Sequence, residues 1–444
     1  MNKNLCRCLA CALALWLLTG CGKAPEPAPS SALAATREAS AVPETSGETT
    51  TQTEPAAQSS PTTEPAKEAM TEPMTEPTTE PDPTDAPDPL AERLAAMTLE
   101  GKVAQLFVVT PEALTGATNY ITAADESLRE AYAQLPVGGV LLMGGNLKDP
   151  AQTKALCADL QVMSREALDL SLFLCVDEEG GVVARVSGNP AFGLDPVPSM
   201  AEVGASGDVE RARQLGAQVG GSLRELGFNV DFAPDADVLT NPENQVVRSR
   251  SFGSDPVLVT EMARAFSDGL LEQGVLPCWK HFPGHGGTAE DTHKGFASLP
   301  YTMEELLDSD ELKPFLYAAS SGIPIIMTGH IAVPAATGDE LPASLSEQLV
   351  SLLRGETGNY PGLLITDGLA MKAITQRYTP GEAAVLALRA GNDLLLVSEH
   401  LQEAYDAVLE AVRKGELPEA RIDESVLRIL RVKAILETAS AATP

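Results

Sequence analysis

Three of the chain's five histidines fall within thirteen residues, in the run Lys280-His281-Phe282-Pro283-Gly284-His285-Gly286-Gly287-Thr288-Ala289-Glu290-Asp291-Thr292-His293. Three glycines in so short a span describe a loop able to come close to a ligand. Asp291 and His293 are two apart, so an extended backbone puts both side chains on one face. A carboxylate beside an imidazole orients the ring, and such a pair could supply a proton near neutral pH. A zinc site is a second reading of the same run, with His281, His285, Asp291 and His293 as ligands. The spacing matches no compact zinc pattern such as H-E-x-x-H, so no metal is expected. The plainest reading is a structural glycine-rich loop with surface histidines. Lys280 and His281, emerging together from an apolar stretch, argue against it.

A second candidate is Leu363-Leu364-Ile365-Thr366-Asp367-Gly368, a carboxylate directly after an apolar run. Such a group could attack an electrophilic carbon. Taken alone it could equally cap a helix. The third is Val176-Asp177-Glu178-Glu179-Gly180-Gly181, with Arg185 eight residues after Asp177; carboxylate and guanidinium both hydrogen-bond vicinal sugar hydroxyls. The acidic neighbours make a phosphate unwelcome at Gly180-Gly181. The fourth is Arg248-Ser249-Arg250-Ser251-Phe252-Gly253, where a solvated ion pair is the bland alternative for either arginine.

These residues need a frame to bring them together. Eight short apolar runs recur: Gln105–Val109, Gly139–Met143, Leu172–Val176, Asn229–Ala233, Val275–Trp279, Ile323–Met327, Leu363–Ile365 and Asp393–Val397. They read as buried parallel strands, which are continuously apolar rather than alternating. Helical patterns lie between them, as at Ala151–Ala167, Val209–Glu225, Pro256–Gln273 and Gly381–Ala390, and Glu403–Leu436 reads as one or two amphipathic helices. Eight strands alternating with helices predict an α/β fold, a TIM-type (β/α)8 barrel; a doubly wound sheet is the alternative. Polar residues follow several runs: Asp177 the third, Lys280-His281 the fifth, Gly329-His330 the sixth and Asp367 the seventh. In a barrel those ends converge on one face.

The chain has 444 residues, with 31 Lys+Arg against 62 Asp+Glu and a formal charge of −31. A phosphate backbone would be repelled, so a nucleic-acid partner is excluded. No apolar run reaches the length of a stable membrane span. Residues 1–21 read as a secretory signal: Lys3 and Arg7, then apolar Leu9 to Leu18, then Leu18-Thr19-Gly20-Cys21. That ending resembles a bacterial lipoprotein cleavage box, with Cys21 the lipidated residue. The expected location is the extracytoplasmic face of the cell membrane, held by the lipid.

Residues 22–90 hold 13 of the 33 prolines, repeat Thr-Glu-Pro from Thr53, Thr63, Thr71 and Thr75, and carry −10. Proline removes donors and glutamates repel, so this segment is expected to be a disordered tether. The first 21 residues carry +2, which leaves −23 for the rest. The barrel is expected over 91–437, with a disordered tail at 438–444. Cys157, Cys175 and Cys278 are too few and too scattered for a disulfide framework or zinc ribbon.

Together the motifs resemble glycoside hydrolase family 3, in its single-domain β-N-acetylhexosaminidase (NagZ-like) branch. The resemblance runs over about 91–436 and takes in Met97-Thr98-Leu99-Glu100, the Asp177 to Arg185 segment, and Gly227-Phe228-Asn229-Val230-Asp231-Phe232-Ala233-Pro234. It continues through Arg250-Ser251-Phe252-Gly253, Ala343-Ser344-Leu345-Ser346 and Ala390-Gly391-Asn392-Asp393. Its most specific part is Lys280-His281-Phe282-Pro283-Gly284-His285-Gly286 with Asp291-x-His293. The resemblance implies Asp367 as nucleophile, His293 as acid/base and Asp291 as its partner. It implies Asp177, Arg185, Arg250, Lys280 and His281 as ligands of the non-reducing sugar, no cofactor, and a carbohydrate substrate. A monomer is expected.

Three positions depart from the family pattern. Val182 stands where an Arg is common, Gly368 follows Asp367 in place of a second acid, and Arg248 is an added base. The implied activity is retaining release of terminal β-linked N-acetylglucosamine, on peptidoglycan fragments or other amino-sugar glycans. One rival is a family 3 β-glucosidase, whose acid/base Glu usually comes from a second domain that this length is read as leaving no room for. The other is a non-catalytic sugar-binding lipoprotein, which would need neither Asp291-x-His293 nor Asp367.

Overall fold

The computed structural model of the protein describes residues 88–355 and 359–441. The expected signal peptide, Cys21 and nearly all of the expected tether lie outside the described residues. Asp88 accepts the Leu90 N–H at 2.9 Å and starts a helix over Pro89–Ala96, so the expected tether boundary at 90 falls inside its first turn.

All eight apolar runs contribute strands. With the short strands between them they number β1 (Phe107–Val109), β2 (Gly139–Leu141), β3 (Phe173–Val176), β4 (Glu178–Gly180), β5 (Val183–Ala184) and β6 (Val230–Asp231). The series continues with β7 (Leu276–Phe282), β8 (Ala297–Ser298), β9 (Ile325–Thr328), β10 (Ile331–Ala332), β11 (Leu363–Thr366) and β12 (Leu395–Val397). The eight long-range neighbours run β11-β9-β7-β6-β3-β2-β1-β12, and every pairing among them is parallel. A parallel bridge between Ile365 and Leu394 brings β12 against β11 and rounds the sheet into a nearly closed barrel. Thr366 shares that seam: its N–H donates to Leu394 O at 3.0 Å and its Oγ1 accepts the Leu396 N–H at 3.1 Å.

The strands are buried on both faces, which is why they read as unbroken apolar stretches. β6 is only two residues long. Beside it the Asn229 side chain substitutes for backbone rungs, accepting from Leu174 N–H and donating to Leu172 O, both at 2.8 Å. The helices Val209–Leu226 and Pro256–Glu272 cross so closely that a Cβ on Gly216 would lie 2.0 Å from Phe266 O, and one on Gly269 2.2 Å from Arg213 O. Only glycine lets these two backbones meet. The C-terminal stretch forms two helices, Leu401–Arg413 and Glu419–Ala441. The second continues past the expected boundary at 437. Cys157, Cys175 and Cys278 are buried free thiols. Among the described residues no helix is long and apolar enough to cross a membrane.

Candidate active site

The C-terminal ends of the barrel strands carry a buried ion network. β7 runs three residues beyond its expected apolar stretch, so Lys280 and His281 are part of the strand and point from a rigid element. Lys280 Nζ lies 2.9 Å from Asp177 Oδ1 and 2.6 Å from Glu179 Oε1. Arg250 grips the same Glu179 in a fork, Nε to Oε2 at 2.7 Å and Nη2 to Oε1 at 2.8 Å. Burial opposes the Glu179 charge, but Arg250 and Lys280 outweigh it and hold this carboxyl well below the usual carboxylate range. Burial likewise opposes the Lys280 charge, and Asp177 with Glu179 overcomes it, so its pKa is raised. Asp177 remains partly open at the edge of this network. A hydroxyl-rich ligand would therefore meet a wall of fixed carboxylate and ammonium groups.

A second layer fixes His281. Its Nδ1 lies 2.7 Å from Asp237 Oδ2, while Asp237 Oδ1 accepts the backbone N–H groups of His281 (3.1 Å) and His285 (2.7 Å). Nδ1 therefore carries the proton, and Nε2 faces Arg250 Nη2 at 3.3 Å. Burial works against the Asp237 charge, but His281 and these bonds bring its pKa down to about 2. Burial and the adjacent Asp237 drive the Asp235 pKa the other way, well above the ordinary value. The Lys280–His281 and Phe282–Pro283 peptide bonds are cis.

The zinc reading does not match this arrangement. Asp235, Asp237 and His281 present ligand atoms within 4.8 Å of one another, but Asp291 and His293 are not among them. The Asp237 oxygens already accept three N–H groups. Arg250 Nε stands 3.3 Å from Asp235 Oδ2, where a cation would have to sit. The guanidinium is the cation of this cluster.

Across the mouth, Asp367 follows β11 and is half-buried. It caps no helix: its Oδ1 accepts the N–H of Gly368 at 2.7 Å, and the next helix, Lys372–Thr375, has Met371 at its cap. The helix-cap alternative is thereby removed. His330 supports this segment. Its Nε2 donates to Gly368 O at 2.9 Å and its Nδ1 accepts from Ser344 Oγ at 2.8 Å. Burial lowers the His330 pKa. Burial tends to raise the Asp367 pKa, but His330, His281 and the Gly368 N–H overcome it, so the net shift is downward. An ionised carboxylate at the mouth of a barrel is a competent nucleophile.

The glycine-rich loop starts from a clamped base. A Cβ on Gly286 would lie 1.7 Å from Val238 O, and Asn244 Nδ2 donates to His285 O at 2.8 Å and Thr288 O at 3.1 Å. His285 is buried there with its Nδ1 2.7 Å from Thr288 Oγ1, and burial lowers its pKa. The loop tip carries the expected pair: His293 Nδ1 is 3.1 Å from Asp291 Oδ1. It docks on the segment that leaves Asp367, with Ala373 N–H donating to Thr292 O at 3.3 Å and the Arg377 guanidinium 4.1 Å over the Phe296 ring.

Of the expected residues, the structure gathers Asp177, Lys280, His281 and Arg250 into one network, with Asp367 on the opposite side and His293–Asp291 on the loop. Arg185 is half-buried at the rim and forms no ion pair among the described residues; its Nε is buried without a hydrogen-bond partner. Arg248 is exposed. The sequence reading gave no role to Glu179, Asp235 and Asp237, and noted His330 without assigning one. A signal existed: Glu179 stands two residues from Asp177 and Asp237 two from Asp235, the spacing that aligns side chains on an extended backbone.

A profile described as "Glycosyl hydrolase family 3 N terminal domain" matches residues 98–432. The chain is 39% identical over 271 residues to the beta-hexosaminidase LpqI of Mycobacterium tuberculosis, covering 60% of this chain and 68% of that protein. It resembles the structure of a glycoside hydrolase family 3 beta-N-acetylglucosaminidase from Paenibacillus sp. str. FPU-7, with a TM-score of 0.72 and 38% identity. That match covers 79% of this chain and 64% of the Paenibacillus chain, so less than two thirds of the latter is represented here. A structure of M tuberculosis LpqI aligns with a TM-score of 0.68 and 34% identity, over 78% of this chain and 96% of that one.

Proposed function

This chain belongs to glycosyl hydrolase family 3, and from that premise we propose that it removes terminal β-linked N-acetylglucosamine from the non-reducing end of a glycan, with retention at the anomeric carbon. The observation that carries the reading is the docking of the Asp291–His293 loop on the segment that leaves Asp367. Asp367 attacks the anomeric carbon while the His293 imidazole protonates the leaving oxygen; a water deprotonated by His293 then releases the sugar from Asp367. Nδ1 faces Asp291, so Nε2 is the atom left to exchange the proton. An imidazole acid adds no second negative charge beside Asp367, which supports its staying ionised. Asp177, Lys280, His281 and Arg250 hold the hydroxyls of the departing ring, and Arg185 joins them from the rim.

Muropeptides are the substrate class this reading favours, because it places the enzyme outside the cytoplasmic membrane on a lipid anchor at Cys21. That placement rests on the sequence alone. The names of the relatives, beta-hexosaminidase and beta-N-acetylglucosaminidase, support the choice of sugar. Aryl β-glycosides with and without the 2-acetamido group test it. Turnover of the acetamido substrate should exceed that of the glucoside by about 10²-fold or more. Mass spectrometry after an acid quench should find the glycosyl adduct on the peptide containing Asp367. Equal rates on both substrates, or an adduct elsewhere, would overturn the reading.

A further inference from the structure

Among the described residues, Tyr120 and Tyr317 are the most exposed phenylalanine, tyrosine or tryptophan residues. Tyr317 lies on the outer helix Lys313–Ser321 and stacks on Trp279. Tyr120 is 60% exposed on the loop that follows β1, at the end of the barrel that carries the site.

This loop is locked in place. Glu112 Oε1 accepts the Ile121 N–H at 2.6 Å and Asn146 Nδ2–H at 2.7 Å. Asn146, fully buried, donates again to Ile121 O at 2.9 Å and accepts the Met143 N–H at 2.8 Å. Gln152 Nε2 adds a bond to Thr122 O at 2.7 Å. The Tyr120 ring is held over Gly145 so closely that a Cβ there would lie 2.2 Å from its Cδ2. The neighbouring Gly144 faces Arg185, whose Cδ would lie 3.6 Å from a Cβ on that residue. A rigid exposed ring, a two-glycine floor and an unpaired guanidinium thus form one patch beside the Asp177 segment.

That combination suits a pyranose. A β-linked sugar presents an apolar C–H face that stacks on an aromatic ring, while its rim hydroxyls accept from a guanidinium. We infer that Tyr120 is a stacking platform for the second sugar ring of the substrate, the one adjoining the ring cleaved off; the inference rests on the glycosidase reading above. Arg185 stands between the two rings. An occupied platform would favour glycans over small aglycones without touching the groups that break the bond.

The test compares a β-1,4-linked N-acetylglucosamine disaccharide with β-N-acetylglucosaminyl fluoride, which has no second ring. Tyr120→Ala should lower kcat/KM on the disaccharide about tenfold, mainly through KM, and leave the fluoride within about twofold. Tyr120→Phe should keep both activities. Gly145→Ala, which displaces the ring without removing it, should repeat the disaccharide loss. An unchanged disaccharide rate in Tyr120→Ala would overturn the platform, and so would equal losses on both substrates. A wild-type protein that cleaves neither substrate would instead sink the glycosidase reading and the subsite with it.

Discussion

His293 Nδ1 sits 3.1 Å from Asp291 Oδ1, and the same oxygen accepts the His293 backbone N–H at 2.9 Å. One carboxylate oxygen thus fixes the backbone turn and the ring tautomer together. Burial opposes the Asp291 charge, but Lys294 and His293 overcome it and hold the carboxyl below its ordinary value. The imidazole itself is 68% exposed, so it is open to a ligand arriving from the solvent side. The pair sits on a loop whose base is clamped by Asn244 and whose tip is docked on the segment that follows Asp367.

The loss expected from His293→Ala depends on the leaving group. Glycans leave as poor alkoxides and need the proton; kcat should fall about 10²–10⁴-fold on a disaccharide. A dinitrophenyl glycoside leaves unaided, and its glycosylation step should be nearly unaffected. Asp291→Asn preserves an acceptor for the backbone but removes the charge, and should fall between wild type and His293→Ala. Presteady-state rates on both substrates check this; equal losses on both would remove His293 from the role of acid.

Asp367→Asn should cut turnover by about 10⁴-fold or more while keeping the Gly368 N–H contact, because the amide oxygen still accepts. The downward shift of the Asp367 pKa also sets a pH expectation. The Asp367 carboxyl is ionised at pH values above its folded pKa. Its ionisation should therefore not limit kcat/KM until the pH falls below about 4, the ordinary carboxylate value. The same depressed pKa contributes stability above the unfolded value that is lost as pH drops through the folded one. An acid limb assigned to Asp367 at pH 5 or above would contradict the environment described.

Much of this site was legible in the sequence because it sits on period and punctuation. Asp367 follows a buried apolar run, and Lys280-His281 ends another, so the barrel itself delivers them to one face. Asp291-x-His293 is a local pair that needs no tertiary information. Glu179, Asp235 and Asp237 were not legible in the same way. Their roles come from partners 71, 15 and 44 residues away, at Arg250 and His281, and only the closed barrel brings those together. The end of β7 shows the same limit: Lys280 and His281 lie within the strand because Asp177 and Glu179 meet the ammonium and Asp237 meets the imidazole Nδ1, compensation that an apolar pattern does not display.

Glu179→Gln tests that compensation. The wild-type carboxylate is buried between Arg250 and Lys280, and removing its charge leaves two cations close together in a dry site. Breaking a buried ionic cluster from one side costs about 3–5 kcal/mol. Chemical denaturation should show a loss of that order, and, if Lys280 and Arg250 hold the sugar as proposed, KM should rise because both lose their anchor. A variant as stable as wild type would mean that water reaches the network and screens it.

Lys433 provides a prediction at the opposite end of the barrel, away from the chemistry. Its Nζ donates to Gln105 Oε1 at 2.8 Å and lies 5.1 Å over the Phe173 ring, with no ion pair at bonding distance among the described residues. Burial lowers its pKa from 10.5 to about 7, with Glu437 only partly opposing. The unfolded chain then binds more protons than the folded one between about pH 7 and 10.5. The contribution of this lysine to stability therefore rises with pH across that window and is lowest below it. The shift bounds the cost of the charged lysine at about 5 kcal/mol below pH 7. Lys433→Met removes that cost, fills similar volume and forfeits one hydrogen bond worth about 1 kcal/mol. The variant should melt higher than wild type at pH 6, and the gap should close as the pH approaches 10. A parallel offset at both pH values would show that the ammonium is solvated and that its burial costs nothing.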